Sequence, residues 1–137
     1  MKVYLDSCAV IYLIEKKEPW RQRLEQRLAP DIGPLPAIHF SELTRLECRV
    51  GPLLKSDDAA LAEYEEFFAA PRFSVIEMGR GVLDLATDLR AAHKLKTPDA
   101  LHLAAALFAA CDEFWTNDTR LAKATENRIR LVALHEL

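Results

Sequence analysis

The chain has 137 residues, of which 50% are hydrophobic and 28% are charged, a balance typical of one folded domain with its own core. The formal net charge of −3 does not decide for or against a nucleic-acid partner, because it becomes +1 (−3 + 4) if four acidic residues serve as metal ligands. Three cysteines without a CxxC pair argue against a zinc site or a disulfide framework.

Two apolar segments raise the question of a membrane. The first, VYLDSCAVIYLI, is interrupted by Asp6, is too short to span a bilayer as a helix, and is followed by no cleavage motif of small residues. The second, ALHLAAALFAAC, has the length of a buried helix. We therefore expect a cytosolic protein that is not associated with a membrane.

The first part of the chain alternates between strand and helix patterns. KVYL predicts a strand over residues 2–5, and the Asp6–Ser7 pair can cap a helix over residues 8–15. A second helix is predicted from Pro19 and a second strand over residues 35–39. Ser41 is an expected N-cap for a helix through about residue 49, which the Gly51–Pro52 pair should end.

The second part continues the alternation. A helix capped by Asp57 or Asp58, a strand in FSVIEM and a helix over about residues 81–93 are predicted first. A helix from Thr97 to about residue 111 and a strand over residues 113–116 follow. A helix starting at Asp118 and a last strand in IRLVAL complete the chain. Thr97 is the expected N-cap of its helix, with Pro98 in the first turn. This order predicts a single α/β domain over residues 1–137 with a mostly parallel sheet.

Four acidic residues lie where such a fold can bring them together. Asp6 leaves the first strand, and Asp118 follows the strand that ends near Thr116. Asp99 lies at a helix N-terminus, and Glu47 lies in mid-helix with a side chain long enough to reach the same crevice. Each acid alone could be a helix cap or a solvated charge, and Glu42 is a rival to Glu47.

Carboxylates that gather in one crevice repel one another unless a cation neutralises them. A set of oxygen ligands selects Mg²⁺ or Mn²⁺ rather than zinc, and such a metal can activate water and stabilise charge on a phosphoryl group. The acid-rich, histidine-poor pattern therefore suggests metal-dependent phosphodiester hydrolysis. His102, three residues after Asp99, shares nearly the same helix face, and packing is its more common role.

The acids also lie in four characteristic motifs. These are YLDSCAVIYLIE with Asp6 and Ser7, SELTRLE with Glu47, TPDALHLAAAL with Asp99, and TND with Thr116 and Asp118. Their order and spacing resemble those of the PIN-domain nucleases, and especially the VapC-type ribonuclease toxins, over nearly the whole chain. The resemblance implies a PIN-like (Rossmann-like) three-layer sandwich, with a mostly parallel central sheet flanked by helices.

The resemblance also implies an activity and partners. Asp6, Asp99 and Asp118 would hold Mg²⁺ or Mn²⁺, with Glu47 completing the set or acting through water, while Ser7 and Thr116 would orient these groups. The substrate would be RNA, cut to leave a 5′-phosphate and a 3′-hydroxyl, and a homodimer and a VapB-like antitoxin peptide are the expected partners. Candidate phosphate contacts flank the acid motifs: Arg45, Arg49, Lys94, Lys96, Arg120 and Lys123.

A surplus of apolar residues in the early helices suggests a groove for the antitoxin, although internal packing explains them equally well. The candidates are Ile11, Tyr12, Ile14, Trp20, Leu24, Leu28, Leu43, Leu46, Val50 and Leu53. Two other functions remain as alternatives. One is a non-catalytic PIN-like scaffold that binds RNA or protein, which the presence of all four acids disfavours. The other is an aspartyl-phosphate phosphatase, which Cys8 disfavours because those enzymes carry a second Asp at that position.

Overall fold

The computed structural model describes all residues, 1–137, and its centre is a five-stranded sheet in which every neighbouring pair is parallel. The strand order is β3-β2-β1-β4-β5. The strands are β1 (Lys2–Leu5), β2 (Ala37–Ser41), β3 (Phe73–Ile76), β4 (Glu113–Thr116) and β5 (Arg130–Ala133). The chain therefore moves outward from β1 on one side, crosses back, and adds β4 and β5 on the other side.

The central strands are buried on both faces, so alternate residues feed two separate cores. Val3 and Leu5 of β1 join Trp115 of β4 in one core, whereas Tyr4 and Phe114 point to the other face and join the second core. The first core is covered by the four helices of the first half of the chain, and the second by the later helices. This three-layer arrangement confirms the predicted α/β fold.

Six α-helices cover the two faces of the sheet. They are α1 (Ser7–Ile14), α2 (Trp20–Leu28), α3 (Glu42–Leu54), α4 (Asp58–Ala69), α5 (Arg80–His93) and α6 (Thr97–Phe108). Two 3-10 helices follow, at Thr119–Thr125 and Leu134–Glu136. None of the helices combines the length and the apolar composition needed to cross a membrane.

The prediction that Gly51–Pro52 ends the third helix was wrong, because α3 continues to Leu54. Proline disfavours a helical conformation of the preceding residue in part through a clash with its Cβ, and Gly51 has no Cβ. Pro52 also lies in the last turn, where the loss of one N–H donor removes little of the helix's hydrogen bonding. The result places two more leucines, Leu53 and Leu54, on the helix.

Thr97 was also predicted wrongly as an N-cap. The N-cap of α6 is Lys96, without a side-chain hydrogen bond, and Thr97 and Pro98 are the first helical residues. Proline has no backbone N–H, and the N–H of the exposed Thr97 can bond to water, so neither residue needs a hydrogen bond from the side chain of the N-cap. The helix ends at Phe108 rather than near residue 111, because Ala110 takes a left-handed conformation with φ 56°. Asp118 caps a 3-10 helix instead of an α-helix.

Candidate active site

The sheet topology brings the two strand-end aspartates next to each other. Asp6 directly follows β1 and donates its backbone N–H to the Trp115 carbonyl of β4 over 3.0 Å. Asp118 lies two residues beyond the end of β4. Since β1 and β4 flank the point where the direction of chain winding reverses, the crevice beyond them is the usual binding position of an open parallel sheet.

The Asp6 carboxylate is fixed by hydrogen bonds at both oxygens. Oδ1 accepts the Ser7 backbone N–H at 2.8 Å, and Oδ2 accepts the Thr116 hydroxyl at 2.6 Å. The Thr116 Oγ1 in turn accepts the backbone N–H of Asp118 at 3.0 Å. A single buried hydroxyl on β4 therefore ties Asp6 to the turn that carries Asp118.

Glu47 of α3 reaches the same crevice and is held by two donors. Its Oε1 accepts the Ser7 hydroxyl at 2.8 Å and lies 2.5 Å from His102 Nε2. The same His102 nitrogen lies 3.7 Å from Asp6 Oδ1. The hydrogen bond from His102 holds the pKa of Glu47 below its usual range, against the effect of partial burial. Glu42, the rival candidate, pairs instead with Arg45 on the outer surface of α3.

His102 brings two further side chains to the site, and the sequence alone did not indicate them. Its Nδ1 lies 2.7 Å from the Tyr4 hydroxyl, which lies 2.9 Å from Ser41 Oγ. Tyr4 and Ser41 are completely buried, and burial raises the pKa of Tyr4 above its ordinary range. The only signal in the sequence is the spacing of His102 from Asp99, which places the two side chains on one face of α6.

The remaining two acids lie at the start of helical segments. Asp99 is in the first turn of α6, and burial raises its pKa, with further increases from the charges of Asp118 and Asp6. Asp118 is turned toward Arg120, which donates Nε–H to Oδ1 at 2.8 Å and a terminal N–H to Oδ2 at 2.7 Å. This hydrogen bonding lowers the pKa of Asp118.

The donor chemistry of the four acids fits a hard divalent cation. All four offer carboxylate oxygens, and the raised pKa of Asp99 reflects burial together with the negative charges of its neighbours, which a cation would offset. In this structure no group of three or more His, Cys, Asp and Glu side chains is arranged to hold a metal ion. The oxygens of Asp118 face Arg120, and Glu47 Oε1 faces His102. To bind a cation, Asp118 would have to turn away from Arg120, which occupies both of its oxygens.

Only two of the six basic candidates, Lys96 and Arg120, act on an acid of the site. Arg45 and Arg49 form ion pairs with Glu65, and Arg45 also with Glu42, on the outer side of α3 and α4. Arg120 contacts Asp118 directly. Lys94, Lys96 and Lys123 are exposed, and the charge of Lys96 is felt at Asp118.

The apolar residues proposed to form a groove are buried, half-buried or exposed, and the half-buried ones are Ile11, Tyr12, Ile14, Trp20 and Leu43. Leu24 and Leu28 are buried in the first core and are therefore not available to a partner. Trp20 stacks on Tyr12, with ring centroids 4.9 Å apart. The exposed members are on α3, where Leu46, Val50, Leu53 and the adjacent Leu54 form an apolar stripe. We call these four residues the α3 stripe.

Fold and site together define a class: an all-parallel α/β sandwich with carboxylates at the carboxyl ends of its central strands. The chain belongs to the PIN-domain family, whose family model matches residues 3–127. No curated protein sequence gives a significant match.

Several solved structures share this fold along nearly the whole chain. VapBC2 from Rickettsia felis, bound to a DNA fragment from its promoter, has a TM-score of 0.77 and 16% identity, covering 97% of this chain and 98% of that chain. A toxin–antitoxin complex from Klebsiella pneumoniae has a TM-score of 0.70 and 24% identity, covering 99% and 100%. FitAcB from Neisseria gonorrhoeae has a TM-score of 0.76 and 18% identity, covering 98% and 99%. At these identities the likeness establishes the fold.

Proposed function

We propose that this protein is a Mg²⁺- or Mn²⁺-dependent endoribonuclease of the VapC toxin type, neutralised by a VapB-like antitoxin. The observation that carries the proposal is the arrangement of Asp6 and Glu47 around Ser7 and His102, at the crevice where Asp99 and Asp118 also begin their helices. The membership in the PIN family and the toxin–antitoxin proteins among its structural neighbours support the same function.

The residues of the chain would divide the work as follows. Asp6, Asp99 and Asp118 would hold the cation, and Glu47 would complete the set or orient the attacking water. Ser7 and Thr116 keep the inner carboxylates in place through the hydrogen bonds described above. When bound, the divalent cation lowers the pKa of water and stabilises the negative charge that develops on the phosphate. Hydrolysis by water would leave a 5′-phosphate and a 3′-hydroxyl.

The RNA backbone needs positive charge near this acidic crevice. Lys96 and Arg120 are the basic residues whose charges act on the outer acids, so we assign the first phosphate contacts to them. Lys94 and Lys123 lie near these two residues in the sequence and are candidates for further phosphate contacts. Arg45 and Arg49 are engaged with carboxylates on α3 and α4, which makes them weaker candidates. A ribonuclease with this role would act in the cytoplasm, where its substrate is present.

The α3 stripe is the surface that we assign to a protein partner. Leu46, Leu53 and Leu54 are each more than half exposed, which is unusual for adjacent leucines on one helix of a folded domain. An amphipathic segment of an antitoxin could cover the stripe, as an apolar helix face fits an apolar groove. The exposed Leu83 and Phe108, on α5 and α6, offer a second apolar surface for a homodimer.

The activity is tested with purified, antitoxin-free protein and total RNA in the presence of Mg²⁺ or Mn²⁺. We expect discrete fragments that disappear with EDTA and with Asp99→Asn, which removes one charged ligand. Loss of one such ligand should reduce the rate by roughly a hundredfold or more. The matched control is Asp88→Asn, on an exposed part of α5, which should cut RNA as the wild type does.

Intact RNA with the wild type under every metal tried would contradict the proposal. The scaffold alternative would then be favoured, in which the crevice binds RNA or protein without cleavage. Sequencing the fragment ends separates a toxin with a defined target from a nonspecific nuclease.

A further inference from the structure

A buried chain of hydrogen-bonding groups runs from the floor of the site to Glu47. It passes from Ser41 to Tyr4, from Tyr4 to His102, and from His102 to Glu47 over 2.9, 2.7 and 2.5 Å. The four residues come from β2, β1, α6 and α3, so four elements meet in one network. Of the four, only Glu47 lies at the crevice surface, with its side chain 33% exposed.

The direction of the hydrogen bond at Glu47 follows from the chemistry of the acceptor. Oε1 of Glu47 lies 2.5 Å from His102 Nε2, and a carboxylate that binds a cation accepts hydrogen bonds and donates none. The Nε2 of His102 therefore carries the hydrogen and donates it to Oε1. The ring cannot rotate to another partner, because Nδ1 is engaged by Tyr4 and the side chain is 5% exposed.

We propose that His102, held by Tyr4, is a positioning residue that fixes the carboxylate of Glu47 for the divalent cation. This inference rests on the proposed function of the site. Carboxylates that bind metals are commonly oriented by hydrogen bonds from a surrounding layer of residues, and loss of such a partner costs about 10- to 100-fold in metal affinity or activity. His102 supplies that hydrogen bond from a buried position on α6.

The network also accounts for a buried tyrosine hydroxyl and a buried imidazole in an otherwise apolar core. Tyr4 stacks on Phe114, with ring centroids 5.2 Å apart and nearly parallel planes, so its ring is placed by core packing. Its hydroxyl then has a fixed position, from which it reaches His102. The orientation of Glu47 is thereby fixed by His102, together with the Ser7 hydroxyl, which donates to the same oxygen.

The test measures binding of Mn²⁺ alone by calorimetry, without RNA. We expect His102→Leu to weaken Mn²⁺ binding by about tenfold or more. His102→Gln, whose amide can donate to Glu47, should lose less than the leucine variant, and Tyr4→Phe should also weaken binding because the imidazole loses its fixed partner. His135→Leu, on an exposed 3-10 segment, is the matched control and should bind like the wild type.

A double-mutant cycle with Glu47→Gln separates positioning from general damage to the fold. If His102 acts through Glu47, His102→Leu should cause no further loss of Mn²⁺ affinity in the Glu47→Gln background. Equal losses in both backgrounds, or unchanged or tighter binding by His102→Leu, would overturn the inference. If His102→Leu does not fold, Tyr4→Phe, which removes one oxygen atom, carries the same cycle.

The outcomes for the wild type distinguish this inference from the proposed function. A wild type that binds Mn²⁺ but does not cut RNA would contradict the proposed ribonuclease activity. The double-mutant cycle would still decide the role of His102. A wild type that binds no Mn²⁺ would overturn both.

Discussion

Two pairs of acids share the crevice but differ in how firmly the fold holds them. We call Asp6 and Glu47 the inner acids and Asp99 and Asp118 the outer acids. The inner acids accept hydrogen bonds from groups that the fold itself fixes, among them His102, which is 5% exposed. The charged oxygens of Asp118 are instead covered by Arg120, whose side chain is 77% exposed and free of the core.

The inner acids are therefore preorganised, whereas the contact of Asp118 with Arg120 can be exchanged for another partner. Buried donors hold the inner acids in one geometry before any ligand arrives, which lowers the cost of forming a charged site. An exposed guanidinium gives only a weak net interaction, because solvent screens it and its side chain loses entropy when held. We infer that the inner acids define the position of a cation and that the outer acids close around it.

The comparison is tested most strongly at Thr116, whose buried hydroxyl supports both pairs. Thr116→Val keeps the shape but removes the donor to Asp6 Oδ2 and the acceptor of the Asp118 N–H. We expect RNA cleavage to fall by about 10- to 100-fold and the free energy of unfolding to fall by about 1–3 kcal/mol. Cleavage assays and thermal unfolding measure the two effects.

The exposed Thr119→Val is the matched control and should change neither quantity. A Thr116→Val protein that cleaves RNA at the wild-type rate would show that Asp6 needs no fixed orientation. The inner acids would then be no more preorganised than the outer ones.

The positions of Asp6, Asp99 and Asp118 followed from the sequence, because each lies at a strand end or a helix start, whereas Glu47 lies in mid-helix. Asp6 and Asp118 were expected to be neighbours if their strands were adjacent, and β1 does pair with β4. Alternating and helical patterns of apolar residues predict strands and helices locally. Sites in parallel sheets lie beyond the carboxyl ends of the strands, so these local predictions also indicate which side chains lie close together. The prediction needed no knowledge of side-chain packing.

The partners of the acids could not be predicted in the same way. The contact between His102 and Tyr4 depends on how α6 lies against β1, which no local pattern specifies. The pairing of Asp118 with Arg120 depends on a choice of rotamer in an exposed turn. Helix ends were also misjudged, at Pro52 and Thr97, because the lack of a side chain on Gly51 and the unpartnered first turn of α6 outweighed the usual signals.

A second, smaller effect is expected when Arg120 is removed. Arg120→Ala frees both oxygens of Asp118, so Mn²⁺ should bind about two- to fivefold more tightly, in proportion to the modest strength of an exposed ion pair. The KM for RNA should rise at the same time if Arg120 contacts phosphate. Calorimetry with Mn²⁺ and steady-state kinetics measure the two quantities separately.

Lys123→Ala is the control for the removal of a positive charge near the site without a contact to Asp118. It should leave Mn²⁺ affinity unchanged or slightly raised. If Arg120→Ala binds Mn²⁺ more weakly than the wild type, Arg120 orders Asp118 for the cation, and the outer acids would count as preorganised too.

The smallest effect is on stability without metal, and it should have opposite signs for Asp99 and Glu47. Burial and the charges of its neighbours raise the folded-state pKa of Asp99, so its contribution to stability is present at low pH and is lost as the pH rises through that pKa. Asp99→Asn should therefore raise Tm at pH 7 by about 1 to 2 °C, the change being small because solvent screens the site. The gain should shrink as the pH falls toward about 4, the ordinary pKa of aspartate.

Glu47 should behave in the reverse manner, because the hydrogen bond from His102 lowers its folded-state pKa. Its contribution is present above the pKa of the unfolded chain and is lost as the pH falls through the lower, folded value, so Glu47→Gln should lower Tm at pH 7. Thermal unfolding of both variants in EDTA, from pH 4 to pH 8, measures the contrast. If both substitutions raise Tm at pH 7, repulsion dominates at all four acids. The hydrogen bonds to Glu47 would then not compensate for the charge that the site concentrates there.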